Sequence, residues 1–220
     1  MILINTADYA IGQAHINYLD RYFRIPYIIG LRRNNYNNTY FDIIRKKNSK
    51  ISKKKFCAAV ISNHNYYTRF RLNFINELNK YKKVDMGGKY NNNVGFIKNK
   101  LSFLSEYKFS IAMENSEGDG YISEKIYDSL ISGTIPIYYG NCLIDEIINP
   151  KTYILIRNEK DIKKKINYIK KIDNDNNLYK KILNEKIFVG VKFKETIENQ
   201  KVDFLTHIFE QDKNKARRIN

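Results

Sequence analysis

Two cationic features of this chain are of a kind that could grip a phosphate: a helix start carrying Glu124 and Lys125, and, far upstream, a guanidinium at Arg69 or Arg71, which taken alone reads first as surface charge. The first belongs to Glu114-Asn115-Ser116-Glu117-Gly118-Asp119-Gly120-Tyr121-Ile122-Ser123-Glu124-Lys125-Ile126-Tyr127-Asp128, where an apolar run gives way to a glycine-bearing polar loop and then to an amphipathic segment. A helix entered through such a loop presents unpaired backbone N–H groups and the positive end of its dipole, and Lys125 adds a full charge in the first turns. Gly118 and Gly120 flank Asp119 and permit close backbone approach to a ligand. Apolar positions at Ile122, Ile126, Leu130 and Ile131 predict a helix over Tyr121 to Ile131, with Ser123 or Asp119 as its cap. Arg69 and Arg71 open another helical segment behind the Ser62-Asn63-His64-Asn65 loop, where a guanidinium fork suits phosphate oxygens. A phosphorylated ligand is the guest such groups would take.

The elements that must position these groups alternate. Phe56 to Ser62 reads as a strand, Tyr66 to Tyr81 as a helix, Val84 to Gly88 as a short strand and Leu101 to Tyr107 as a helix. Phe109 to Met113 then reads as a buried strand ending in Glu114 and Asn115, and β-branched runs follow at Thr134 to Tyr138 and Tyr153 to Ile156. Strands alternating with helices imply an α/β fold, a Rossmann-like parallel sheet with helices on both faces and ligands at the carboxyl ends of the strands. From Glu159 onward the pattern is helical and lysine-rich, with helices expected over Asp161 to Ile172, Leu178 to Asn184 and Glu195 to Gln211. Arg32 to Ser52 reads as a polar loop.

Other residue patterns are less telling. Glu114 and Glu117 are the nearest thing to a catalytic carboxylate pair, but nothing in the spacing sets them face to face. Asp173-Asn174-Asp175 matches an Asp-x-Asp metal and nucleotide motif, yet it falls in a lysine-rich connection and reads as an incidental loop. Tyr138 and Tyr139 read as packing residues at a strand end. Cys57 and Cys142 have no metal-ligand spacing and suggest no disulfide framework, which favours a reducing, cytoplasmic compartment. His15, His64 and His207 show no ligand spacing either.

The net charge of +16 attracts anionic partners, but the basic residues are dispersed through Arg45-Lys46-Lys47, Lys53-Lys54-Lys55, Lys163-Lys164-Lys165 and the tail from Lys213 to Arg218. No nucleic-acid partner is expected from so scattered a charge, whereas a basic surface suits peripheral contact with the anionic inner face of a membrane. No run approaches the length of a membrane span.

Three blocks together resemble the α-1,3-fucosyltransferases, glycosyltransferase family 10, in their bacterial form. Tyr107-Lys108-Phe109-Ser110-Ile111-Ala112-Met113-Glu114-Asn115 is similar to the family's YKF-x-L-x-FEN strand, with Met113 where an aromatic is usual. Gly120-Tyr121-Ile122-Ser123-Glu124-Lys125 resembles the G-Y-[VI]-[TS]-E-K loop and helix. Thr134-Ile135-Pro136-Ile137-Tyr138-Tyr139-Gly140 resembles T-[IV]-P-[IV]-Y-[WY]-G, with Tyr139 where tryptophan is frequent. Upstream, Asp8-Tyr9-Ala10-Ile11-Gly12 and Asp20-Arg21-Tyr22-Phe23-Arg24-Ile25-Pro26 resemble the closing part of the bacterial members' amino-terminal domain.

The resemblance implies the donor-binding half of a two-domain GT-B glycosyltransferase. It places a remnant of the acceptor domain and a connection in 1–50, a GDP-fucose-binding domain in 51–190, and a terminal helix with a basic tail in 191–220. It implies inverting transfer of fucose from GDP-fucose to a glycan acceptor, with no cofactor beyond divalent-ion stimulation. Arg71 and Lys125 are implied at the pyrophosphate, where they stabilise the leaving group. Asn115, Tyr121 and Glu124 are implied on the ribose, guanine or fucose side of the donor. In bacterial relatives a Gly-Glu-Asn segment upstream of Asp-Tyr-Ala-Ile-Gly carries the proposed general base, and here Met1 stands only shortly before Asp8. The expectation is therefore of a truncated or partner-dependent chain without that base.

Overall fold

The computed structural model describes residues 7–25, 38–50, 55–62, 68–115, 118–189 and 193–212. The loop at 63–67, Glu117 and the basic tail from 213 lie outside the described residues. In chain order the elements are β1 (Ala10–Gly12), β2 (Tyr22–Arg24), α1 (Asn38–Ser49), β3 (Lys55–Val60), α2 (Thr68–Asn79), β4 (Val84–Gly87), α3 (Lys100–Leu104), β5 (Tyr107–Met113) and α4 (Glu124–Ile131). They continue with β6 (Ile135–Tyr139), β7 (Ile154–Leu155), α5 (Ile162–Asn174), α6 (Asn176–Asn184) and α7 (Phe193–Phe209).

The main sheet has five parallel strands in the order β4-β3-β5-β6-β7. From β3 the chain first winds outward to β4, then crosses back to β5 on the other side of β3. That reversal makes the gap between the carboxyl ends of β3 and β5 the switch point, the place where open parallel sheets hold their ligands.

Strand alternation divides the core between two faces. Cys57, Ala59, Phe109, Met113, Ile135 and Ile137 pack with Phe74, Ile75 and Leu78 of α2 and with the isoleucine stripe of α5. On the opposite face Ala112 and Tyr138 pack with Ile126, Tyr127 and Leu130 of α4 and with Ile144 and Ile147 beyond β6. Isoleucines at Ile162, Ile166, Ile169 and Ile172 give α5 its buried face and leave Lys163, Lys164 and Lys171 in solvent.

Two expectations need correction. The segment read as a polar loop holds α1: Ile44 packs against the α4 cluster, and the Arg45 guanidinium, 2% exposed, donates to the carbonyls of Glu185 at 3.0 Å and Ile182 at 3.2 Å. A helix this short and polar is marginal alone and exists because of that docking. Asp173 is likewise no incidental loop residue. It is buried at the end of α5, where it accepts from Lys108 Nζ at 2.9 Å, Lys82 Nζ at 2.5 Å and the Tyr81 hydroxyl at 2.9 Å. Asp175 caps α6 by accepting from the backbone N–H groups of Asn177 and Leu178. The Asp-x-Asp run is thus used for folding, near the amino-terminal ends of the strands and away from the switch point.

β1 and β2 form a separate parallel pair, and α7 returns to cover it: Phe204 stacks on Phe23 at 5.5 Å between ring centroids and meets Tyr9 edge-on at 6.2 Å. Among the described residues no helix is long and apolar enough to cross a membrane.

Candidate active site

β5 ends at Met113, and the two residues that follow keep the strand's alternation. Asn115 shares the parity of Met113 and turns to the α2 face, whereas Glu114 shares the parity of Ala112 and turns to the α4 face. Each receives a cation from the helix on its own side. Arg71 of α2, 4% exposed, donates through Nη1 to Asn115 Oδ1 at 2.7 Å and to the Met113 carbonyl at 3.4 Å. Lys125 of α4 donates through Nζ to Glu114 Oε2 at 2.9 Å. Two cations far apart in sequence therefore meet across three consecutive residues at the carboxyl end of β5, beside the switch point.

Burial lowers the pKa of the Arg71 guanidinium, and the nearby Glu114 carboxylate offsets part of that effect. Phe70, the residue before it, packs at a tilt against Tyr139 at the end of β6 with 4.4 Å between ring centroids, which holds the first turn of α2 over the strand ends. Arg69 is exposed, so of the two guanidiniums it is Arg71 that the fold turns inward.

α4 begins at Glu124, later than the helical periodicity suggested, because Ser123 is in extended conformation and serves as the cap. The Ser123 hydroxyl and backbone N–H both donate to Glu114, at 2.6 Å and 2.8 Å, and the same hydroxyl accepts from Lys125 Nζ at 2.8 Å. Tyr121 and Glu124 flank these residues on the loop–helix junction, both half-buried. The loop before them is held from two sides. His15 N donates to the Asp119 carbonyl at 2.9 Å, and Asn141 Nδ2 donates to the Gly118 carbonyl at 2.9 Å. Gly120 has φ +81°, and a Cβ there would fall 2.6 Å from the Gln13 carbonyl oxygen.

Arg71, Asn115 and Lys125 are thus drawn into one cluster, with Tyr121 and Glu124 at its edge. Sequence reasoning singled out Glu114 as a polar residue at a strand end and Ser123 as a cap, and the structure joins both to the cluster. Strand parity past Met113 was the signal for Glu114, and the cap position was the signal for Ser123. A second basic region, a cleft of about 410 Å³ lined by Lys151, Arg157, Lys164 and Lys165 with Asp145 and Asp161, lies along β7 and α5 and shares no residue with the cluster. Among the described residues no group of three or more His, Cys, Asp or Glu is placed to hold a metal ion.

Comparison with known proteins gives this geometry a lineage. Residues 50–216 match the family model described as glycosyltransferase family 10 (fucosyltransferase) C-term. The chain belongs to glycosyltransferase family 10. Among curated proteins, this family 10 chain is 33% identical to an α-(1,3)-fucosyltransferase of Helicobacter pylori over 82% of its own length and 44% of the relative's. It is 36% identical to a putative fucosyltransferase of Acanthamoeba polyphaga mimivirus over 64% of this chain and 25% of that one. The chain therefore spans less than half the length of these curated relatives. A solved α1,3-fucosyltransferase with GDP matches with TM-score 0.77 at 28% identity, covering 99% of this chain and 73% of that one. The same enzyme type with GDP-fucose matches with TM-score 0.74 at 28% identity, covering 96% and 72%. The parallel sheet flanked by helices is accordingly one Rossmann-like half of the GT-B fold of family 10.

Proposed function

We propose that this chain holds GDP-fucose by its diphosphate between Arg71 and Lys125 and serves fucosyl transfer to a glycan hydroxyl with inversion at the anomeric carbon. The observation that supports this most is the convergence of those two cations on Met113, Glu114 and Asn115 at the sheet's switch point. The nucleotide and the sugar are suggested by relatives whose names specify fucosyltransferases and by a matching structure with GDP-fucose.

In the transfer, a general base takes the proton of the acceptor hydroxyl as its oxygen bonds to fucose C1, while the bond from C1 to the phosphate oxygen breaks and its electron pair leaves with GDP. Negative charge grows on the diphosphate. Donors already fixed in place stabilise that charge without reorganising at the moment of reaction. Arg71 is oriented by Asn115 and Lys125 by Glu114 and Ser123, so each meets this requirement. A hydrogen bond to a charged group contributes about 1.5–3 kcal/mol to binding. Tyr121 and Glu124, at the loop–helix junction, are assigned to the ribose, guanine or fucose side of the donor. These residues serve the leaving-group side of the reaction.

Titration calorimetry with GDP and GDP-fucose tests the reading, and indifference to both would remove it. A transfer assay on lactosamine-type acceptors then separates the full activity from donor binding alone. Turnover by the isolated chain would show that it carries the whole reaction. Binding without turnover would mark it as a donor-binding unit that works with a partner.

A further inference from the structure

Glu114 stands beside the proposed diphosphate site although its charge repels the ligand. Its carboxylate is 2% exposed and takes three hydrogen bonds, from Ser123 N at 2.8 Å, Ser123 Oγ at 2.6 Å and Lys125 Nζ at 2.9 Å. Lys125 Nζ also donates to Ser123 Oγ at 2.8 Å, which closes a triangle of carboxylate, hydroxyl and ammonium. A lysine ammonium has three N–H groups on a flexible stem. Two of them are directed back into the protein by this triangle, and tetrahedral geometry then fixes the direction of the third.

The surrounding backbone is shaped to keep the carboxylate there. Glu114 N donates to the Tyr139 carbonyl at 2.8 Å, and a Cβ at Gly140 would fall 2.8 Å from Glu114 Cγ. Among the proposed diphosphate cations, the hydrogen bond of this carboxylate goes to the lysine, while its charge also reaches Arg71.

We infer that Glu114 is a positioning residue for the donor diphosphate that acts through Lys125, trading some electrostatic attraction for a pre-aimed N–H. The inference rests on the proposed donor site and gives Glu114 a role within it. Two opposed effects make it testable. Replacing Glu114 by glutamine removes a repulsive charge, which favours an anionic ligand, and it releases Lys125, which disfavours one. If positioning dominates, Glu114→Gln weakens GDP binding in the native background. With Lys125 replaced by methionine there is nothing left to position, and the same change strengthens GDP binding or leaves it unaltered.

The experiment is a double-mutant cycle by titration calorimetry of the full chain with GDP, using Glu114→Gln, Lys125→Met and the pair, with thermal melts to verify folding. The expected result is a loss of about tenfold for Glu114→Gln alone, the scale of immobilising one rotamer-rich side chain. No loss, or a gain, is expected in the Lys125→Met background. Weakening in both backgrounds would show a structural role and overturn the inference, as would unchanged or tighter binding in Glu114→Gln alone. Should Glu114→Gln fail to fold, Ser123→Ala removes one of the two acceptors of Lys125 Nζ and must show the same dependence on Lys125. Absence of GDP binding by the native chain would instead refute the donor site itself.

Discussion

Replacing Lys125 by methionine tests the ion pair at the strand end through stability rather than binding. Methionine keeps the length of the stem and a similar helix propensity, so α4 itself is little affected. The pair being broken is buried on one side and nearly so on the other: the Glu114 side chain is 1% exposed and that of Lys125 16%, at 2.9 Å. Removing one member of a buried pair leaves the other charged and unmatched, typically at about 3–5 kcal/mol. Glu114 retains both hydrogen bonds from Ser123, which puts the expected loss at the lower end, about 3 kcal/mol. For a domain of this size each kcal/mol moves the melting temperature by about 2–4 °C, so Lys125→Met should melt about 6–12 °C lower at neutral pH. Adding Glu114→Gln removes the unmatched charge and should recover most of the loss, to within about 1 kcal/mol of the native chain. Differential scanning calorimetry of the three proteins reads both effects. Lys125→Met melting within about 2 °C of native, or a double variant less stable than the single one, would refute the reasoning.

The remaining expectations concern residues around and away from the site. Gly120→Ala forces a side chain into a positive-φ position and against the Gln13 carbonyl, so it should lower stability by about 1–3 kcal/mol in denaturant unfolding and weaken GDP binding through the displaced loop. Asp173 lies outside the site, and its variants should leave GDP affinity unchanged. Burial acts to raise its carboxyl pKa, but hydrogen bonds from Lys82, Lys108 and Tyr81 outweigh burial and hold the pKa below the ordinary carboxylate value. A depressed folded pKa gives a contribution that is complete above the unfolded value near ~4 and is lost as pH falls below it. Asp173→Asn should therefore destabilise the chain at pH near ~7 and much less near ~3, as read by urea unfolding at both. Arg45→Met removes the side-chain donor to the Glu185 and Ile182 carbonyls at the end of α6, of which Ile182 keeps a backbone donor, and should lower stability by about 1–3 kcal/mol without altering GDP affinity, measured by melting and calorimetry together.

Most of the sheet was legible in the sequence because its strands are short apolar runs bounded by polar turns. α1 escaped because its fold depends on partners distant in sequence, the α6 carbonyls that receive Arg45 and the α4 cluster that receives Ile44. Asp173 was discounted because its partners, Lys82 just before β4 and Lys108 at the start of β5, meet only when the sheet assembles. Within the site, the cations and Asn115 could be named from residue type and family resemblance. Glu114 could be named as a polar group at a strand end, but its contact with Lys125 could not, since nothing in the spacing shows which cation it meets. Strand parity would have separated Glu114 from Asn115, but only after Met113 is known to end the strand on the Arg71 side.

The role of Arg71 and Lys125 turns on where a diphosphate binds. A crystal structure of the chain with GDP decides it: phosphate oxygens should lie within hydrogen-bonding distance of both the Arg71 guanidinium and Lys125 Nζ, at the carboxyl end of β5. GDP seated instead in the cleft of Lys151, Arg157, Lys164 and Lys165, with Arg71 and Lys125 untouched, would contradict it.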